Sequence, residues 1–161
     1  MSIKFLTAYH PNGQKKSEGN WDGDVPVGNH FTWHENGNKE YEMVEVNDSM
    51  EMTTSWYENG QMESKGATSP THYQEVGLWT QWFENGNKKS EGSYKGEDGR
   101  DGEWKFWSSS GQLICAGIHK GFKGNGLWTF WDEAGNKVHE REYVELELLD
   151  VWKNLRTDGC S

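Results

Sequence analysis

His30 and His34, with Glu35 beside the second, are the nearest approach to a metal set in this chain. Residues four apart on a strand share a face but stand about 13 Å apart, too far to hold one ion. Glu97, Asp98 and Asp101 suggest a calcium loop, but their spacing does not match the EF-hand pattern, and acidic turns are as a rule solvated. Glu35, Glu58, Glu84 and Glu133 each stand beside a similar glycine. A catalytic acid belongs to one convergent cluster, so a carboxylate that recurs along the chain reads as support for turns and for cross-strand lysine contacts. Serines are plentiful, yet none sits in a Gly-x-Ser-x-Gly elbow, and no glycine loop opens a helix after a strand as phosphate binding requires. These residues predict a protein that is not an enzyme, with no catalytic residue, metal or cofactor.

The same glycines disclose the architecture. A phrase seen most clearly at Gly77-Leu78-Trp79-Thr80-Gln81-Trp82-Phe83-Glu84-Asn85-Gly86 recurs with its last glycine at Gly13, Gly37, Gly60, Gly86, Gly111 and Gly135. A fixed period of this size marks an array of small, similar units. Asn precedes the glycine at Asn12, Asn36, Asn59 and Asn85. Asn-Gly suits a two-residue type I′ turn, in which both central residues take positive φ.

Such a turn fixes the register of its flanking strands. It predicts Trp82 opposite Lys89, Thr80 opposite Glu91, Trp79 opposite Gly92 and Gly77 opposite Tyr94. In the later repeats Trp104 falls opposite Gly117, Gly102 opposite His119, and Gly126 opposite Tyr143. A large ring thus faces a glycine again and again and can lie flat over its backbone. Alternation puts Trp79, Trp104, Trp128 and Tyr94 on one face. Trp33, Trp56, Trp82, Trp107 and Trp131, with Tyr9, Leu78, Leu127, Thr80 and Thr129, fall on the other.

The expected fold is all-β: one elongated antiparallel meander of about six hairpins over residues 1–144, with a capping segment and tail over 145–161. Only 32% of the 161 residues are hydrophobic while 14% are aromatic, which suits a single sheet covered by rings better than a two-layer sandwich. The second repeat is degenerate, with Met43 and Glu51 where glycines are expected. The segment 67–75, with Ser69-Pro70, reads as an irregular, mobile link. Leu146, Leu149, Trp152 and Leu155 recur near helical spacing, which predicts a short helix over 145–156 that hides the last edge.

The formal net charge of −10 argues against nucleic acid and against anionic membrane surfaces. It favours a basic protein partner, or serves solubility alone. Two cysteines, Cys115 and Cys160, make no disulfide framework and favour a reducing compartment. The opening residues contain no long apolar run, so neither a signal peptide nor a membrane span is expected, and the location predicted is cytoplasmic.

The phrases 77–86 and Ser90-Glu91-Gly92-Ser93-Tyr94-Lys95-Gly96 resemble the bacterial variant of the MORN repeat, and more narrowly the YwqK family of antitoxins. The resemblance implies a β-hairpin array and a role in binding and neutralising a toxin. The leading expectation is accordingly a non-enzymatic protein-binding module of the antitoxin, immunity or inhibitor kind, with a basic toxin or effector as partner. Carbohydrate or another small ligand on exposed Trp rows is one alternative; a structural scaffold or a membrane-associated protein is another. The residues expected to meet a partner are Trp33, Trp56, Trp82, Trp107 and Trp131, the link residues His72 and Tyr73, and the acidic Glu142, Glu145, Glu147 and Asp150.

Overall fold

The computed structural model describes residues 2–70, 74–121 and 123–147, the last four of these by their backbone alone. Twelve strands form one sheet in sequential order. They are β1 (Lys4–Tyr9), β2 (Lys15–Asp22), β3 (Val25–Trp33), β4 (Lys39–Asn47), β5 (Met50–Trp56), β6 (Met62–Ser69), β7 (Gln74–Trp82), β8 (Lys88–Lys95), β9 (Arg100–Trp107), β10 (Leu113–Lys120), β11 (Lys123–Trp131) and β12 (Lys137–Glu147). Every neighbouring pair is antiparallel, so the predicted meander is the fold found.

Two expected segments differ. The helix placed over 145–156 is not supported: β12 runs as strand through Glu147, paired with Lys123, because β11 still offers it a ladder of hydrogen-bonding groups. The rest of that segment lies outside the described residues. The irregular link expected over 67–75 is strand at both its ends, where Ala67, Thr68 and Ser69 pair with Val76, Glu75 and Gln74. Residues 71–73 lie outside the described residues.

The turns also differ from the type I′ form, and the difference explains a register shift. In the second hairpin the Gly37 N–H donates to the His34 carbonyl and the His34 N–H to the Asn38 carbonyl, both at 2.9 Å. This is a three-residue turn whose glycine alone needs positive φ, 88° at Gly37. The other five turns repeat the pattern. The longer turn, with a bulge after Gln81, sets Trp82 opposite Lys88 instead of Lys89. The remaining expected pairs, Thr80–Glu91, Trp79–Gly92, Gly77–Tyr94, Trp104–Gly117, Gly102–His119 and Gly126–Tyr143, are all present.

Asn serves these turns through its side chain. The Nδ2 groups of Asn12, Asn36, Asn59 and Asn85 donate to the carbonyls of Glu35, Glu58, Glu84 and Ser109 in the next turn, at 2.6–2.8 Å. Their Oδ1 atoms accept the N–H two residues on. Turn is thereby tied to turn along one edge of the sheet. Asn36→Ala should cost about 1 kcal/mol for these exposed bonds. Asn36→Gly should cost a similar amount in thermal unfolding; a stabilised Gly variant would instead show that backbone freedom is what Asn supplies.

One face of the sheet is the core, and it is uneven. Trp104, Phe106, Cys115, Trp128, Phe130 and Tyr143 form a buried cluster in the last hairpins. In the earlier hairpins the row that contains Phe106, Cys115 and Phe130 is continued by Ser90, Gln81, Ser64 and Ser55. Apolar burial, the main stabilising term, is therefore concentrated at the C-terminal end of the array.

Each core Trp leans onto the strand before it. A Cβ built at Gly66, Gly92 or Gly117 would come within 2.2 Å of the ring of Trp79, Trp104 or Trp128, respectively. The Nε1–H of each ring donates to the carbonyl of the residue after that glycine, Ala67, Ser93 or Ile118. The expected backbone pairing of Trp79 with Gly92 is thus right, but the ring over Gly92 belongs to Trp104. Trp79 and Trp104 have a glycine on both sides, whereas Trp128 has Arg141 on β12, and in each the indole N–H finds its carbonyl on the preceding strand.

Between these rings stand Tyr94, His119 and Tyr143, edge-on at 4.9–6.4 Å, so that Trp and smaller rings alternate across the sheet. His119 is fully buried, and burial first, then the neighbouring Arg100 guanidinium, lower its pKa from 6.5 to about 4. The unfolded chain therefore binds the extra proton between those values, and stability should fall as pH drops from 6.5 to about 4. A urea-unfolding series against pH checks this. His119→Phe should flatten that limb; an unchanged limb would exclude His119 as its source.

Candidate binding face

The opposite face is built from a regular polar grid. One cross-strand row runs Glu18, Phe31, Glu42, Thr54, Lys65, Thr80, Glu91, Lys105, Ala116, Thr129 and Glu140. Lys15, Lys39, Lys88 and Lys137 each reach the Glu three residues on. Those lysines stand at the start of their strands, just after the turn, where a local bulge turns them toward the same face. Thr80 and Thr129 add hydroxyl bonds to Glu91 and Glu140. The Lys137 ammonium, above all, holds the exposed Glu140 carboxyl below its ordinary range.

The five predicted tryptophans Trp33, Trp56, Trp82, Trp107 and Trp131 recur once per hairpin near the turn edge, all half-buried. Lysine ammonium groups lie over three of them: Lys15 is 4.8 Å from the Trp33 centroid, Lys39 5.4 Å from Trp56, and Lys88 5.2 Å from Trp107. Each lysine comes from the preceding hairpin, so a cation–π contact also links one repeat to the next. At the equivalent positions before Trp82 and Trp131 the chain has Met62 and Leu113, beside Trp56 and Trp107 in register. The rings are therefore partly committed to the array. The lysines were missed by reasoning from aromatic spacing; the recurring Lys-x-x-Glu at 15–18, 39–42, 88–91 and 137–140 was their signal.

Two exposed apolar groups of this face lie farther from the turns. Leu78 is 62% and Leu127 53% exposed, two residues before Thr80 and Thr129. Glu142, predicted as a partner contact, is exposed and pairs in register with Leu127. Glu145 and Glu147 belong to β12, but their side chains are outside the described residues, as are His72, Tyr73 and Asp150. The structure thus unites the five Trp and Glu142 on one sheet, in a band about one hairpin apart, and brings none of them to a common point.

His30 and His34 do not share a site. His30 stands edge-on to Trp21, ring centroids 5.3 Å apart. The His34 Nε2 lies 2.8 Å from the Trp56 carbonyl in the next hairpin, and His10 makes the same contact with Trp33 at 2.7 Å. Among the described residues no three His, Cys, Asp or Glu are grouped to hold a metal ion, and no helix is long and apolar enough to cross a membrane. Cys115 is buried in the core cluster.

A model of the MORN repeat variant matches residues 6–22, 75–95 and 100–119, which are the hairpins β1–β2, β7–β8 and β9–β10. No curated protein matches the chain.

Proposed function

From a MORN-type repeat protein with this open face, we infer a non-enzymatic protein-binding module of the antitoxin or immunity kind, acting in the cytoplasm on a basic toxin or effector. The narrower likeness to the YwqK antitoxins belongs to the same inference. The observation that carries it is the face itself: a continuous twelve-strand surface on which a half-buried Trp recurs per hairpin beside rows of carboxylates. A long flat surface suits a protein partner better than a small ligand, which is held in a concave site. The lysines over Trp33, Trp56 and Trp107 take up ring faces that a sugar would need. The net charge of −10 supplies long-range attraction for a basic partner and speeds its approach.

The test is neutralisation. The protein encoded beside this chain in its native genome is produced alone and together with the chain, and growth is followed. Growth arrest by the neighbour, relieved by the chain and accompanied by a co-purifying complex, supports the reading. Arrest that the chain fails to relieve, or a harmless neighbour that does not bind, counts against it.

A further inference from the structure

The ladder of rings on the core face is interrupted once, and the interruption is built. In β3, β7, β9 and β11 a positive-φ glycine (Gly28, Gly77, Gly102 and Gly126) stands two residues before the core residue and forms a bulge. In β5 the equivalent residue is Glu51. The pairing stays in step from Thr53 through Glu51, which lies between Glu45 of β4 and Thr68 of β6, and the β4–β5 register shifts only beyond it, between Glu45 and Asn47. Without the bulge, the Glu51 side chain goes to the core face at the level where Tyr94, His119 and Tyr143 lie in the other hairpins.

Glu51 is only 6% exposed, and its Oε2 meets no donor. Glu45 faces it directly across the strands. Burial, and after it the Glu45 charge, raises the Glu51 pKa. Two carboxylates opposed on one face destabilise a sheet, and a buried charge without a partner costs more still. Both groups border a cavity of about 250 Å³, with Asp48 at its rim and Val25, Val27 and Pro70 as apolar wall. The Glu45 carboxylate reaches over Gly28, within 3.5 Å of where a Cβ would stand there.

We propose that this cavity binds an alkylammonium or alkylguanidinium group, with Glu51 as the buried counter-ion, Glu45 and Asp48 as its flanking charges, and the valines and proline around the alkyl stem. The group supplies the missing donors to Oε2 and separates two like charges. It is distinct from the Trp-bearing face, which lies on the other side of the sheet. A small divalent cation fits the surroundings less well, since no three-ligand group is present among the described residues.

The test is an NMR titration of the full chain with n-butylammonium chloride, n-butylguanidinium chloride and uncharged n-butanol. Saturable shifts of the Gly28, Asp48 and Glu51 amides with either cation, at least tenfold weaker with butanol, are expected. Equal response to butanol, or no response to either cation, overturns the proposal, as does saturation by calcium in place of the organic cations. Glu51→Gln should weaken cation binding at least tenfold while keeping the native amide spectrum; unchanged binding overturns the role of Glu51. Should that variant fail to fold, Glu45→Gln and the comparison of charged with uncharged probe on the unaltered chain decide. Spermidine set against Nα-acetyl-lysine amide and Nα-acetyl-arginine amide then tells a free polyamine from a protein side chain.

Discussion

Gly92→Ala should destabilise the protein by about 3 kcal/mol, at the upper end of what overpacking costs. The added Cβ would stand 2.2 Å from Cδ2 and 2.4 Å from Cε2 of Trp104, and that ring is almost wholly buried. It is held there by its Nε1–H bond to Ser93 and by the Arg100 guanidinium 4.2 Å from its centroid. The ring can retreat only by giving up those contacts. For a chain of this length the melting temperature should fall by roughly 6–12 °C. Gly77→Ala, where nothing lies within 4 Å of the new Cβ, should cost only the strain of a positive φ, about 1–2 kcal/mol. A double-mutant cycle identifies the ring concerned: the Gly92→Ala cost should shrink in a Trp104→Ala background and persist in a Trp79→Ala background. The reverse pattern would restore the pairing that register alone suggests.

Trp128→Ala should be the most damaging single truncation, costing 3–5 kcal/mol in urea unfolding, the usual range for a buried Trp. Trp128 is 0% exposed, stacked at 6.1 Å on Phe106 and met edge-on by His119 and Tyr143. Its loss leaves a hole in the only large apolar cluster among the described residues and uncovers the Gly117 backbone. A typical domain holds 5–15 kcal/mol, so this one change removes a large part of the total. Trp107, half-buried on the opposite face with Lys88 above it, should cost about 1–2 kcal/mol when cut to Ala, mainly as lost burial. Equal costs for the two would mean that the faces are not divided into core and surface as described.

The architecture was legible because each hairpin repeats a turn glycine and alternating strands, and the last three add a ring opposite a glycine. Strand order and nearly all the pairings followed from it. What escaped depends on choices the period leaves open. Asn-Gly fits both a two-residue and a three-residue turn, and only the hydrogen bonds of Gly37 to His34 separate them. Trp104 pairs with glycines on both neighbours, Gly92 and Gly117, and an indole N–H seeking a carbonyl breaks the tie. The spacing of Leu146 and Leu149 suggests a helix, yet an unpaired β11 edge carries β12 on to Glu147.

The binding rows were readable as spacing, but their partial burial was not, since it comes from lysines one hairpin away. Glu51 was visible as a departure from the repeat. That it is buried against Glu45 follows only once the missing glycine is seen to remove a bulge and turn the side chain inward.

The central claim is that a protein partner docks on the face that bears Leu78, Leu127, Glu142 and the half-buried Trp. The most direct measurement is the kinetics of complex formation by the double variant Leu78→Arg/Leu127→Arg with the co-purified partner, at low and high salt. Both side chains are more than half exposed, so the melting temperature should not move. Affinity should drop at least tenfold, and for the unaltered chain salt should act mainly by slowing association. Unchanged affinity in the double variant, with association equally fast at both salt concentrations, would contradict the assignment of this face.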